Sequence, residues 1–263
     1  MTQLAPLTVA DAKAHVANLI LPNLPPKVLS DKPPTPEFVF DSAKEQAVVA
    51  GSDVISFVKG ITPEQRSDLV NASLLAQLAA KKQFPTPLDI EGVKAWYKKY
   101  FDVLANIGFV IQDQGFAEYK ENADTFEAHE AILDVATAIL GPASSALKIV
   151  TTTLQSLKKM DTDSPFLTLF HRESRSAKTA RFQVTLADED ETAQLRIRLM
   201  AFGIEAKAVV TQVLFFRFKQ NESSLHHHSG TVTINSMILG GVRDDIAKRL
   251  GVLTKNFVAG LEI

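Results

Sequence analysis

Ala180-Arg-Phe-Gln-Val-Thr-Leu186, followed by Leu195-Arg-Ile-Arg-Leu199, decides the fold class of this 263-residue chain. Phe182, Val184 and Leu186 alternate with Gln183 and Thr185, and Leu195, Ile197 and Leu199 alternate with Arg196 and Arg198. A period of two belongs to strands, whose successive side chains point to opposite faces. The acidic run Asp188-Glu-Asp-Glu191 between them makes a solvated turn, so a hairpin with one apolar face is predicted. Val209 to Phe218 is apolar on both faces over its second half, which predicts a central strand. Leu225 to Ile234 returns as a further strand, with Gly230 as a bulge or close-approach point.

Upstream of Ser176 the period changes to three or four, the spacing of helices. Ser42-Ala-Lys-Glu45 and Thr62-Pro-Glu-Gln65 read as capping boxes opening two helices, the first carrying Val48, Ile55 and Val58 and the second running to Pro85. Asp89 caps a third, with Val93, Trp96, Tyr97, Tyr100, Phe101 and Leu104 at helical spacing and Gly108 at its end. The aromatic stripe reads as core rather than as a stacking platform for a ring. Asp124-Thr-Phe-Glu127 reads as the start of a fourth helix. Ala131 to Leu157 carries Asp134 and Lys148 as its charges and is split by Gly141-Pro142 into two apolar helical arms. Near the C-terminus, Asn235-Ser236 or nearby residues open a last helix bearing Val242, Ile246 and Leu250, Gly251 stops it, and Phe257 to Leu261 adds a strand or strap.

The fold expected is therefore α+β: an N-terminal helical half of about five helices, then an antiparallel β-meander of four or more strands with helices packed on one face. Residues 1–40, which hold six of the 12 prolines between Pro22 and Pro36, read as an extended arm. Residues 41–263 read as a single domain, helical over 41–160 and sheet-forming over 165–263.

Composition excludes several functions. Net charge is −2, far from the basic excess that nucleic acid needs. The absence of cysteine removes disulfides, thiolate nucleophiles and Cys-ligated zinc. The N-terminus lacks the pattern of a classical signal peptide, since Asp11, Lys13 and His15 interrupt it, and no stretch has the length of a transmembrane span. The expected location is cytoplasmic, or exported by another route.

Motifs for chemistry are few. His226-His-His228 is the histidine cluster; in a strand, His226 and His228 share a face and are the metal candidates, with a carboxylate such as Glu222. The competing reading is a polar strand end. His129 reads as a core histidine, and His171 falls in a linker. Asp161-Thr-Asp163-Ser opens like a calcium loop but lacks the glycine and distal glutamate, so it reads as a turn. No catalytic residue and no cofactor is assigned, and an enzymatic reading rests on a site the spacing does not reveal.

Two function classes follow. The leading one is a non-enzymatic binding or interaction protein with an apolar ligand or partner between helices and sheet, at Val213, Leu214, Phe215, Phe216 and Phe218, which supply more apolar surface than a one-faced sheet needs. The alternative is a membrane-active or lipid-binding, toxin-like protein that exposes the 131–157 hairpin through Ile132, Ile139, Leu140, Leu147, Ile149 and Val150. Lipid, membrane or protein partners stay open, as does the oligomeric state.

Overall fold

The computed structural model describes residues 6–22, 38–111, 115–120, 125–161, 163–190, 194–210, 213–215, 217–219, 222–251 and 257–262. In chain order its elements are α1 (Val9–Asn18), β1 (Gln46–Ala50), β2 (Asp53–Phe57), α2 (Pro63–Gln83), α3 (Ile90–Ala105), β3 (Phe109–Ile111), β4 (Ala117–Glu118), β5 (Thr125–Glu127), α4 (Ala128–Leu140), α5 (Ser145–Lys158), α6 (Pro165–Ser174), β6 (Arg175–Ser176), β7 (Thr179–Glu189), β8 (Leu195–Ala206), β9 (Arg217–Lys219), β10 (Ser223–Ile234), α7 (Ser236–Leu250) and β11 (Val258–Glu262).

The helix starts follow the capping chemistry. Thr62 accepts from Gln65 N while the Gln65 side chain reaches back to Thr62 N, with Pro63 at the first position, and Asp89 accepts from Gly92 N. α7 opens on Asn235 and ends at Gly251 as its sequence predicts. An analogous Thr8–Asp11 box starts α1, a helix inside the stretch expected to be extended. The proline-rich residues 23–37 lie outside the described residues.

The helix expected after Ser42 is instead the β1–β2 hairpin. Val48-Val49 and Val54-Ile55 are β-branched pairs that suit strands, and Gly51, at φ +59°, makes the two-residue turn with Ser52. The fourth helix starts at Ala128, three residues later than expected from Thr125, because Thr125–Glu127 pairs with β9. α6 occupies residues expected to be linker and sheet, so Asp161 and Ser164 stand between two helices, with Ser164 N–H donating to Asp161 O and its side chain capping α6.

β7, β8 and β10 form the predicted antiparallel meander, in unbroken register from Ser223↔Ala206 to Thr233↔Arg196, so Gly230 pairs with Leu199 without a bulge. The sheet is nevertheless mixed: β2 runs parallel to β7, and the order is β11-β1-β2-β7-β8-β10-β3, nine strands with β4 and β6 at the sides. Residues 209–218 do not form its central strand. Among the described residues there, 209–210 and 213–215 are not strand, and β9 pairs with β5 in a separate two-stranded sheet.

Helices cover both faces rather than one. Asp53 on β2 meets Ser73 of α2, whereas Ser56, of opposite parity on the same strand, meets Thr153 of α5. α2 and α3 thus cover one face and the α4–α5 hairpin the other, giving three layers. The aromatic stripe of α3 is core as expected: Trp96, Tyr97 and Tyr100 are buried, and Tyr97 donates to the carbonyls of Phe182 and Phe202.

Candidate functional site

The hairpin predicted between Ala131 and Leu157 is present as α4 and α5. Gly141 at φ +84° ends α4, a geometry that favours glycine, and Ser144 caps α5 by accepting from Leu147 N. Its six singled-out residues divide by position. Ile132, Ile149 and Val150 are buried against the sheet, while Ile139, Leu140 and Leu147 are half-buried around the tip. Beneath them lies the apolar row of β7, Phe182, Val184 and Leu186, with Phe182 stacked on Phe202 of β8.

Three of the four threonines of the hairpin are satisfied within their own helices. Thr137 donates to Leu133 O at 2.7 Å, Thr151 to Leu147 O at 2.9 Å and Thr153 to Ile149 O at 2.9 Å. Such back-bonding hides a hydroxyl from an apolar environment. Thr153 also meets Ser56 Oγ at 3.1 Å; because its own hydrogen goes to Ile149 O, Ser56 is the donor.

Charges gather at the base of the hairpin. Glu127, immediately before α4, accepts from Arg217 of β9 at 3.1 Å and pairs with Lys158 of α5 at 3.2 Å and His129 at 3.0 Å. The hydrogen bond from Arg217, more than the neighbouring charges, holds the Glu127 carboxyl below its ordinary range. Burial, then the nearby Lys158 charge, lowers His129. His129 is therefore a hinge-side residue rather than a core one. No helix among the described residues is long and apolar enough to cross a membrane.

The opposite face carries a feature that alternation alone misassigns. Gln183 and Thr185, expected to face solvent, are fully buried beneath α2 and α3. Thr185 donates to Asp53 at 3.0 Å, Ser73 donates to Asp53 at 2.8 Å and lies 3.2 Å from Tyr100 Oη, and Gln77 and Gln183 both receive hydrogen bonds from Ser52. Burial pushes Asp53 up to about 7. The sequence signal for this network, polar residues at buried positions of α2, becomes legible once the covering layer is known.

The remaining predicted residues fall elsewhere. His226 and His228 share a face, with His227 opposite, as strand geometry predicts; His226 pairs in register with Glu118, while His228 is buried beside Phe101 and Phe116. No group of three histidines or carboxylates that could hold a metal occurs among the described residues. Glu222 sits in a turn, donating its backbone N–H to Lys219 O. Val213 and Leu214 are buried, and Phe215 is half-buried with its ring 5.9 Å from that of His129. Phe218 lies on β9, and Phe216 lies outside the described residues.

No protein-family model matches the chain, and no curated protein matches it. Among solved structures it is similar to a delta-endotoxin, at 14% identity over 78% of this chain and 89% of that one, with a TM-score of 0.38. It is similar to the Evf virulence factor at 13% identity, over 80% and 85% of the two chains, with a TM-score of 0.38. A third is the activated Cyt2Ba monomer from Bacillus thuringiensis subsp. israelensis, at 14% identity over 70% and 97%, with a TM-score of 0.39. Superposition at this level assigns no function to the chain.

Proposed function

We propose that the protein is membrane-active and that the α4–α5 hairpin is the part that leaves the body to meet the bilayer. The observation that carries this reading is the construction of the hairpin. Its inner side is largely apolar, the hydroxyls of Thr137, Thr151 and Thr153 are satisfied by its own backbone, and its tip presents Ile139, Leu140 and Leu147 partly to solvent. An element that must exchange protein for lipid cannot carry unsatisfied polar groups with it. The arms, of 13 and 14 residues, reach about 20 Å and do not cross about 30 Å of hydrocarbon. They would lie in one leaflet and uncover the apolar row of β7. Strands β7, β8 and β10, of 11, 12 and 12 residues, do have the length of a membrane-crossing strand, roughly 9–11 residues.

A disulfide tests it directly, because the chain has no cysteine. Ser56→Cys with Thr153→Cys places two thiols where the hydroxyl oxygens now lie 3.1 Å apart, across α5 and β2. The oxidised double variant should fail to release dye from liposomes and recover on reduction. Equal release in both states overturns the proposal.

A further inference from the structure

A cleft of about 440 Å³ opens between the C-terminal end of α1, the C-terminal end of α2 and the middle of α3, lined by Asn18, Leu19, Ile20, Ala79, Lys82, Gln83 and Lys99. Its chemistry is two-sided. Leu19 and Ala79 are buried apolar side chains, and Ile20 stands at the rim with 70% of its surface exposed. The polar side is cationic. Lys81 is engaged by Glu173 at 2.7 Å, whereas its neighbour Lys82 makes no ion pair among the described residues and is left to the cleft. Lys99 is positioned by Asp102 at 2.7 Å, and Asp102 in turn receives Asn106. Arg249 donates to the Leu19 carbonyl, which fixes the wall that carries Ile20. His15 adds a group whose proton affinity is lowered by burial and by Lys99. None of the lining residues is acidic, and Asp102 offsets part of the Lys99 charge, in a chain whose overall charge is −2.

We infer that this cleft is a receptor for the headgroup of an anionic phospholipid in a bilayer surface, with Lys82 and Lys99 on the phosphate and Ile20 in the acyl boundary. An exposed branched aliphatic beside the Lys82 ammonium and the Asp102-held Lys99 ammonium fits an amphiphile with a negative head, whereas a free phosphate uses the lysines alone. The choice of a membrane lipid rests on the membrane reading above. The cleft itself lies away from the hairpin, so the two are separable: docking through the cleft precedes and does not require release of α4 and α5.

The test is flotation of the full-length protein, and of the oxidised Ser56→Cys/Thr153→Cys form, with vesicles of phosphatidylcholine alone or mixed equally with phosphatidylglycerol. Both forms should float with the anionic vesicles and not with the neutral ones. Lys82→Glu and Ile20→Ser, at exposed sites that do not hold the fold, should each weaken binding by about fivefold or more. Lys178→Glu, at an exposed lysine that does not line the cleft, should not. Equal loss in Lys178→Glu and Lys82→Glu overturns the site in favour of bulk charge, and unchanged binding in Lys82→Glu and Ile20→Ser overturns it outright. Short-chain phosphatidylglycerol should displace the protein far better than inorganic phosphate; equal displacement overturns the lipid as occupant. Intact flotation without dye release refutes the hairpin and leaves the cleft, whereas dye release that survives loss of flotation refutes the cleft.

Discussion

Ser56 Oγ on β2 donates to Thr153 Oγ1 on α5 across 3.1 Å, and this bond joins the hairpin layer to the sheet inside an otherwise apolar contact. Removing Thr153 leaves the Ser56 hydroxyl buried without its acceptor, at about 1–3 kcal/mol, whereas Thr153 without Ser56 keeps its bond to Ile149 O. Thr153→Val should therefore lower the urea midpoint, and Ser56→Ala combined with Thr153→Val should restore most of the loss. A double variant less stable than either single one would contradict this pairing.

Asp53 gives the fold a pH dependence opposite to that of most carboxylates. Burial raises it to about 7, against about 3.9 in an unfolded chain. Between those values the folded protein holds a proton that the unfolded chain has released, so the contribution is full at acid pH and is lost as pH rises toward 7. The window is worth on the order of 4 kcal/mol. Asp53→Asn should flatten the difference in unfolding free energy between pH 5 and pH 7.5, and parallel curves for the two proteins would refute the assignment.

The Glu127 cluster should make the hairpin base acid-sensitive. Glu127 is held low by Arg217 and Lys158, so its contribution exists above its unfolded value and is lost as pH falls through the folded one. His129, lowered by burial and then by Lys158, is harder to protonate in the fold than in an exposed chain, so its protonation on acidification also opposes the closed arrangement, although Glu127 and Glu130 soften that effect. Dye release should rise on acidification. Glu127→Gln should raise release at neutral pH and leave less to gain at acid pH; unchanged release at every pH would count against the cluster as a restraint.

Arg66 is fully buried and donates to Ile61 O, Gln46 Oε1, Lys44 O and Val58 O, with its guanidinium over the Phe57 ring. It staples the β1–β2 hairpin to α2. Arg66→Leu removes the donor to four acceptors, of which Gln46 Oε1 keeps the Asp41 N–H, and should cost about 3–5 kcal/mol, seen as a lower thermal midpoint. A loss below about 1 kcal/mol would show that the acceptors find other donors.

The sequence by itself determined the elements whose instructions are local. Thr62, Asp89, Ser144 and Asn235 each cap the helix that follows by accepting a nearby backbone N–H, and Gly141-Pro142 breaks the apolar run, chemistry that needs no distant residue. The β7–β8–β10 meander was legible for the same reason, since neighbours in sequence pair with each other. What the tertiary structure decided is where a face finds its cover. Whether Gln183 and Thr185 meet water or Asp53 depends on α2 and α3, more than 70 residues upstream of them, and on the parallel pairing of β2 with β7. The cleft between α1, α2 and α3 has the same origin: Ile20, Lys82 and Lys99 carry no shared motif and converge through packing. Periodicity records that a residue alternates; burial and charge convergence belong to contacts between segments, which no local pattern encodes.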